Sequence, residues 1–358
     1  MQEKRELPLV SILIPNYNHS RYLEQCIESA INQTYPNKEI IVLDNCSNDN
    51  SVQVASKYRK DGVIVCRNQF NVMNANYTIL ATQLCRGKYF ILLCADDYLL
   101  PDFMETAVAI MEKYPNVGYV HGERDFVTPD DQLIELEPFY NCSFVAPGRK
   151  AMPLYMVTTV AHPAQGVIRK AAFDEIGGYD MEISHMNADR SMWFYLSYQY
   201  DGAYIREKMC RIRVGEQTET VITQKNFQHP ILCHLTIKDY VSFAKNYDLP
   251  EVYMREEEAL IRLAKEFVGY AAGMLLCDDL KKAEMYLDYA KVVSRAVVEE
   301  ERYQLYRKMI DEKIIDKDSI KATFKQQYQH KRNYEPVQGY EKIVLEEVLK
   351  WVKQEYRF

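Results

Sequence analysis

Along the first hundred residues, apolar positions arrive in two alternating rhythms. Val10–Ile14 (VSILI) is a short apolar run of the kind a doubly buried strand leaves. Arg21–Asn32 then places Tyr22, Leu23, Cys26, Ile27, Ala30 and Ile31 on one helical face. The alternation repeats. Glu39–Leu43 (EIIVL) predicts a strand, about 49–58 a helix, Gly62–Cys66 a strand, 72–85 a helix, and Tyr89–Cys94 (YFILLC) a fourth strand. Apolar strands separated by amphipathic helices predict an α/β domain whose mostly parallel sheet is covered on both faces. Ligands of such sheets gather beyond the C-terminal strand ends. That rule singles out Asn16-Tyr17-Asn18, Asp44, Asn68 and Asp96-Asp97.

Residues 117–220 mix short strands, turn-like segments at Thr128-Pro129-Asp130 and Gly177-Gly178, and a helix near 187–198. From about residue 225 the spacing becomes helical. Ala259, Leu263, Phe267, Val268, Ala271 and Leu275 share one stripe, and Ala283, Tyr286, Leu287, Ala290 and Val293 another, which predicts an αα-hairpin around Asp278-Asp279. A last helix is expected over about 339–356. The chain thus divides into an α/β domain, 1–222, and a helical region, 223–358.

Composition narrows the class. At 358 residues the chain suits a domain of about 200–250 residues with an extension. Its net charge of -7 offers no basic face, so no nucleic-acid partner is expected. Nine cysteines stand singly, with no CxxC pair, as expected for reduced, buried thiols of a cytoplasmic chain without a structural zinc motif. No apolar segment reaches the length of a membrane span, so a soluble chain is expected, at most resting on a membrane's inner face.

The strand-end acids admit two kinds of reading. Asp96-Asp97 places two carboxylates where the sheet meets solvent. Their repulsion would be relieved by a divalent cation, whereas a simple polar turn needs no ion. Asp44 can accept an N–H from a base edge or cap the next helix, although Ser47 and Asp49 suit capping better.

Four ordered motifs carry a resemblance. VSILIPNYN, then VLDNCSND at 42–49, then GKYFILLCADDYLLP at 87–101, then GGYD at 177–180 followed by Ala188-Asp189-Arg190-Ser191-Met192-Trp193, resemble the motifs of the family 2 glycosyltransferases. The fold implied is GT-A, a Rossmann-like twisted sheet with helices on both faces, here with a C-terminal helical extension. Its nucleotide-sugar half would span about 8–100 and its acceptor half 101–222. The activity implied is inverting transfer of a hexosyl or N-acetylhexosaminyl group from a nucleoside diphosphate sugar, UDP-linked, to a hydroxyl of a glycan or lipid-linked acceptor. Such transfer would serve surface polysaccharide or glycoconjugate synthesis.

Carried over residue by residue, the resemblance implies that Pro15, Tyr17, Asn18, Asp44, Asn68 and Asp96 bind the nucleotide. Asp96 and Asp97 would hold Mn2+ or Mg2+, and Asp189 would be the catalytic base. Trp193, four residues on, would be a sugar platform or a core tryptophan, and His162 an acceptor-side contact or a surface histidine. Asn45 and Cys46 stand where the family's second motif has Asp and Gly, and two further positions depart from the family pattern. Cys94 replaces the first acid of "D-A-D-D", and Gly215 stands where relatives carry a histidine, leaving Arg211, Arg213 or Gln217 for the diphosphate.

Two other functions compete. A sugar nucleotidyltransferase needs a glycine-rich, basic first loop, which Pro15-Asn16-Tyr17-Asn18-His19 lacks. A catalytically weak GT-A-like scaffold would use its helical tail to bind a partner. That tail could also form a homo-oligomer, and its end, 349–358, touch a membrane surface.

Overall fold

The computed structural model describes residues 4–72, 78–158, 161–179, 187–215, 227–327 and 332–357. Contacts divide the chain into two compact units. One comprises Met1–Met152, Thr159–Gly215 and Arg332–Phe358, the other Pro153–Thr158 and Glu216–Lys331.

The first unit is built on a mixed sheet. Its strands in chain order are β1 Arg5–Glu6, β2 Val10–Asn16, β3 Lys38–Asp44, β4 Ile64–Arg67, β5 Tyr89–Leu92, β6 Tyr98–Leu99 and β7 Val117–Val127. There follow β8 Leu133–Ile134, β9 Phe144–Ala146, β10 Gly166–Arg169, β11 Asp201–Arg213, β12 Glu341–Lys342 and β13 Tyr356–Arg357. The large sheet runs β12-β9-β11-β7-β10-β5-β2-β3-β4, with β6 on β11 and β8 on β7.

The four strands expected from the apolar runs, β2 to β5, form its parallel half. Helices Ser20–Ile31 and Ser51–Ser56 fill two of the connections. Val10, Ile12, Leu13 and Ile14 are wholly buried, as a continuous apolar strand requires. Of the helix expected over 72–85, residues 73–77 lie outside the described residues. Leu80–Leu84 closes as a wide π turn, with the Cys85 N–H donating to the Leu80 carbonyl at 2.9 Å.

Between the parallel half and the long β7–β11 parallel pair sits β10, antiparallel to both β5 and β7. The sheet is therefore parallel-rich and mixed. β10, Gly-Val-Ile-Arg, has only two consecutive large apolar residues and so leaves no continuous apolar run in the sequence.

Residues 332–357, grouped by sequence with the helical tail, return to this unit. Helix Leu345–Glu355 packs on helix Phe103–Lys113. Ile343, Val348, Val352 and Tyr356 join the sheet's core, where their apolar faces find cover. The Tyr356 hydroxyl donates to Glu112 Oε2 at 2.5 Å, and β13 pairs in parallel with β1 as a separate two-stranded sheet.

The second unit is helical. Helices Glu256–Leu276 and Leu280–Val293 form the expected hairpin, turned by Asp278 with a left-handed φ of 60°. Asp279 caps the second helix by accepting the Lys282 N–H at 3.0 Å. Ala259, Leu263, Phe267, Val268 and Leu275 pack into its core with Ala283, Tyr286 and Leu287. Among the described residues, no helix is long and apolar enough to cross a membrane.

Candidate active site

The ends of β2, β3 and β4 build the first half of the site. Register places Asn16 beside Asp44, and Asp44 beside Arg67. Asp44 is 1% exposed. Its Oδ1 accepts from Asn16 Nδ2 at 2.8 Å, and its Oδ2 from the Ser47 N–H at 2.9 Å, with Arg67 Nε at 3.5 Å.

Asn18, left-handed at φ 58°, donates its N–H to Ser47 Oγ at 2.9 Å and accepts the Asn48 N–H on its side chain, also at 2.9 Å. Asn68 donates to Asn45 Oδ1 at 3.0 Å. Helix capping falls to Asp49, which accepts the Ser20 N–H at 3.0 Å and the Ser51 N–H at 2.9 Å. Burial alone would raise Asp49, but these hydrogen bonds outweigh it and hold its pKa at about 2. Asn16, singled out at the end of the first strand, and Ser47, expected as a helix cap, tie the two loops together. Above this net stand Pro15, half-buried, and Tyr17, whose ring is 44% exposed and open to a ligand.

The second half follows β5. Leu93 continues the pairing to Leu13, and a tight turn, with the Asp97 N–H on the Cys94 carbonyl at 3.0 Å, presents Cys94, Asp96 and Asp97. Asp96 is half-buried, and its carboxylate has no hydrogen-bond or ion-pair partner among the described residues. Asp97 turns inward and is 2% exposed. Its Oδ1 accepts the Arg213 N–H at 2.8 Å, while Oδ2 has no hydrogen-bond partner of good geometry. Burial, then the neighbouring Asp96 charge, push its carboxyl well above the usual range. The two acids therefore differ in setting: Asp96 is half-open to solvent and Asp97 turns to the interior.

His162 reaches Asp97 Oδ2, with Nδ1 at 3.5 Å. It opens a short 3-10 turn, Pro163–Gln165, as a capping box in which its N–H donates to Gln165 Oε1 at 2.9 Å and its Nδ1 accepts the Ala164 N–H at 3.4 Å. Arg124 Nη1 donates to the same Gln165 oxygen at 2.6 Å. His162 is thus positioned protein, not a free surface histidine. Burial and the Arg124 charge lower its pKa, and the 38% of the side chain still open to solvent moderates the size of that shift. Gln165 was missed, although His-Pro at a turn start is a capping signal visible in sequence.

Asp189 lies in the first turn of helix Ala188–Gln199 and is half-buried. Burial pushes its carboxyl up to about 6, against the opposing Arg190. Cys94 and Tyr179 feel its charge, which brings the β5 turn and this helix start to one neighbourhood.

Two alternatives left open by the sequence are decided by burial. Trp193 is fully buried, its ring 4.6 Å from His121 and 5.6 Å from Tyr119, with Gly166 against its edge, so it offers no face to a sugar. The Arg213 side chain is also given to the protein. It donates to the carbonyls of Asp96 at 3.0 Å and Thr128 at 2.7 Å, to Gln25 at 2.8 Å and to Asp131 at 2.7 Å. Its guanidinium lies 4.2 Å over Tyr22. Four of its five N–H donors are thus held by the protein and the side chain is buried, so it is not presented to a diphosphate. At Gly215 a side chain would press on Pro129, since a Cβ there comes within 3.1 Å of its Cγ, so a histidine is not simply accommodated. Gln217 lies outside the described residues.

Comparison with known proteins agrees with this geometry. Residues 11–177 match the model of glycosyl transferase family 2. The chain is 33% identical over 129 residues to a chondroitin synthase of Pasteurella multocida, covering 36% of this chain and 13% of that protein. It is 32% identical over 124 residues to the UDP-Glc:alpha-D-GlcNAc-diphosphoundecaprenol beta-1,3-glucosyltransferase of Escherichia coli, covering 34% of this chain and 49% of that one. The chain thus spans half or less of the length of these relatives. Among solved structures, residues 1–349 of S. aureus TarS superpose with a TM-score of 0.56 over 93% of this chain and 96% of that one, at 14% identity. The same protein in complex with UDP-GlcNAc gives 0.53 at 15% identity. The likeness is one of fold, and that fold is GT-A, as the sequence predicts. Over residues 11–177, just under half of its length, this chain is similar to glycosyl transferase family 2.

Proposed function

We propose that the chain transfers a sugar, with inversion, from a UDP-sugar to an acceptor hydroxyl in surface polysaccharide or glycoconjugate synthesis. The observation that carries this reading is the gathering of Asp44, Asp96 and Asp189 around strand ends β2, β3 and β5, with Tyr17 exposed beside them. The two relatives named as a synthase of chondroitin and a UDP-glucose transferase, and the UDP-GlcNAc-bound neighbour of like fold, support the donor class.

In this reading Tyr17 stacks on the base, and the rim around Asp44 meets its polar edge. Asp44 is already hydrogen-bonded on both oxygens, so its loop contributes shape as much as charge. A divalent ion of the Mn2+ or Mg2+ kind fits Asp96, a carboxylate without a partner among the described residues; such ions take one or two carboxylates and complete their shell with substrate phosphates. Bound there, it would supply neutralisation of the departing diphosphate. Asp189, held near an operating pH by burial, accepts the acceptor hydroxyl's proton as that oxygen attacks the anomeric carbon.

Calorimetric titration of UDP in the presence of Mn2+ or Mg2+ tests the donor site, and an absence of binding would sink it. Asp189→Asn is expected to lower transfer by at least about 100-fold, in the range of general-base losses, while UDP affinity stays nearly unchanged. Retained transfer would reassign the base.

A further inference from the structure

The loop that follows β3, residues 45–48, is gripped from both sides. On the β2 side, the Asn16 carbonyl accepts the Asn45 N–H at 2.8 Å, and Asn18 is bonded to Ser47 and Asn48 at 2.9 Å each. On the β4 side, the Asn68 N–H donates to the Asp44 carbonyl at 2.8 Å, and the Cys46 sulfur meets the Gln69 carbonyl at 3.6 Å. Asn45 Oδ1 accepts from Asn68 Nδ2 at 3.0 Å and from the Val72 N–H at 2.9 Å, while its Nδ2 donates to Asn71 Oδ1 at 3.0 Å. Tyr17 thus stands between two residues bound to this loop, and Phe70 between two others. Their side chains are left outside the net, 44% and 68% exposed.

We propose that Phe70 is the second wall of a nucleobase clamp, closing from the β4 side on the base that Tyr17 meets from the β2 side. The clamp rests on the UDP-sugar reading given above and adds to it a binding residue.

Spacing allows it. Only β3 separates β2 from β4, so at the usual strand spacing their ends lie about 10 Å apart. A flat base between two rings needs about 7–8 Å, two contacts of about 3.5–4 Å each, which a slight inward lean of both rings provides. The loop is also set in advance. Asn45 is buried and spends three side-chain hydrogen bonds on residues 68–72, so little ordering is left for a ligand to impose on Phe70. A single exposed apolar residue is ordinary on a protein surface. What sets Phe70 apart is its place, fixed beside the loop of Asp44 and matched by Tyr17 across it. Asp44 already accepts hydrogen bonds on both oxygens, so the faces of the base, more than its edge, are where affinity can be gained. Every base has such a face, and the clamp therefore supplies affinity without choosing between bases.

The test titrates UDP with Mn2+ into the full chain and into Phe70→Ala by calorimetry. The dissociation constant should rise about 10-fold or more in the variant, in the range of base–aromatic stacking losses, while pyrophosphate with the same ion binds both chains alike. The exposure of Phe70 keeps loss of the fold out of this comparison, and circular dichroism checks it. Phe70→Trp should restore affinity and add a reporter, since Trp193 is fully buried and the unsubstituted chain gives the background. UDP should quench that new emission and pyrophosphate should not. Equal UDP affinity in Phe70→Ala, or emission of Phe70→Trp that bound UDP leaves unchanged, overturns the clamp and leaves the donor reading standing. A raised KM for the acceptor with unchanged UDP affinity also overturns it and moves Phe70 to the acceptor. A wild-type chain that binds no UDP overturns the donor reading and the clamp together.

Discussion

At Cys46 the backbone turns left-handed, with φ 64°, directly above the net that joins Asp44, Ser47 and Asn18. A residue with a Cβ bears a cost of roughly 1–2 kcal/mol there, which glycine escapes, and the family motif that this segment resembles has glycine in its place. Cys46→Gly should raise stability by about 1 kcal/mol in urea unfolding once glycine's extra chain entropy is offset. A loss would mean that the 3.6 Å contact of its sulfur with the Gln69 carbonyl matters more. Asp189 gives the pH dependence. Its pKa of about 6 predicts that kcat/KM climbs through pH 6 and levels above it, because the base must be ionised. The stability linkage runs the other way: a raised carboxyl favours the fold below its unfolded value and loses that contribution as pH rises through 6. A flat profile between pH 5 and 7 would remove Asp189 from the reaction. Asp44, Asp96 and Asp97 were legible in sequence because each follows an apolar run, whereas Asp189 was legible only through the motif that its segment resembles. The fates of Trp193 and Arg213 were not, since they depend on Tyr119, His121, Asp131 and Gly166, distant in the chain.

At the scale of elements, the parallel strands were legible from their continuous apolar runs, and the αα-hairpin from its spacing. What periodicity could not carry was the short antiparallel β10 and the return of helix Leu345–Glu355 to the first unit. Both are decided by partners distant in the chain, β7 and β5 for β10 and helix Phe103–Lys113 for the last helix. β10 is fitted tightly at its first residue, where a Cβ on Gly166 would come within 2.3 Å of the Trp193 ring. Gly166→Ala should therefore cost about 1–3 kcal/mol of stability, through overpacking of a fully buried ring. The check is thermal unfolding followed by tryptophan fluorescence, and an unchanged midpoint would show that Trp193 yields freely.

Across the whole molecule, two units each hold their own core, so unfolding need not be a single transition. The two tryptophans, Trp193 and Trp351, both belong to the first unit, whereas the second is helical and has none. In a guanidinium titration, fluorescence should follow the first unit alone while far-ultraviolet circular dichroism follows both, and the two midpoints should separate. Coincident curves would mean that the units unfold together. One small feature bears on how this chain can be rebuilt. Because β1 and β13 pair side by side, Arg5 against Tyr356, the first and last described strands are neighbours. A short flexible linker could then close the polypeptide into a ring, to be reopened in an exposed turn such as that at Asp130-Asp131. The result would be a circular permutant that keeps every strand beside its present neighbours while changing only the order in which a ribosome makes them.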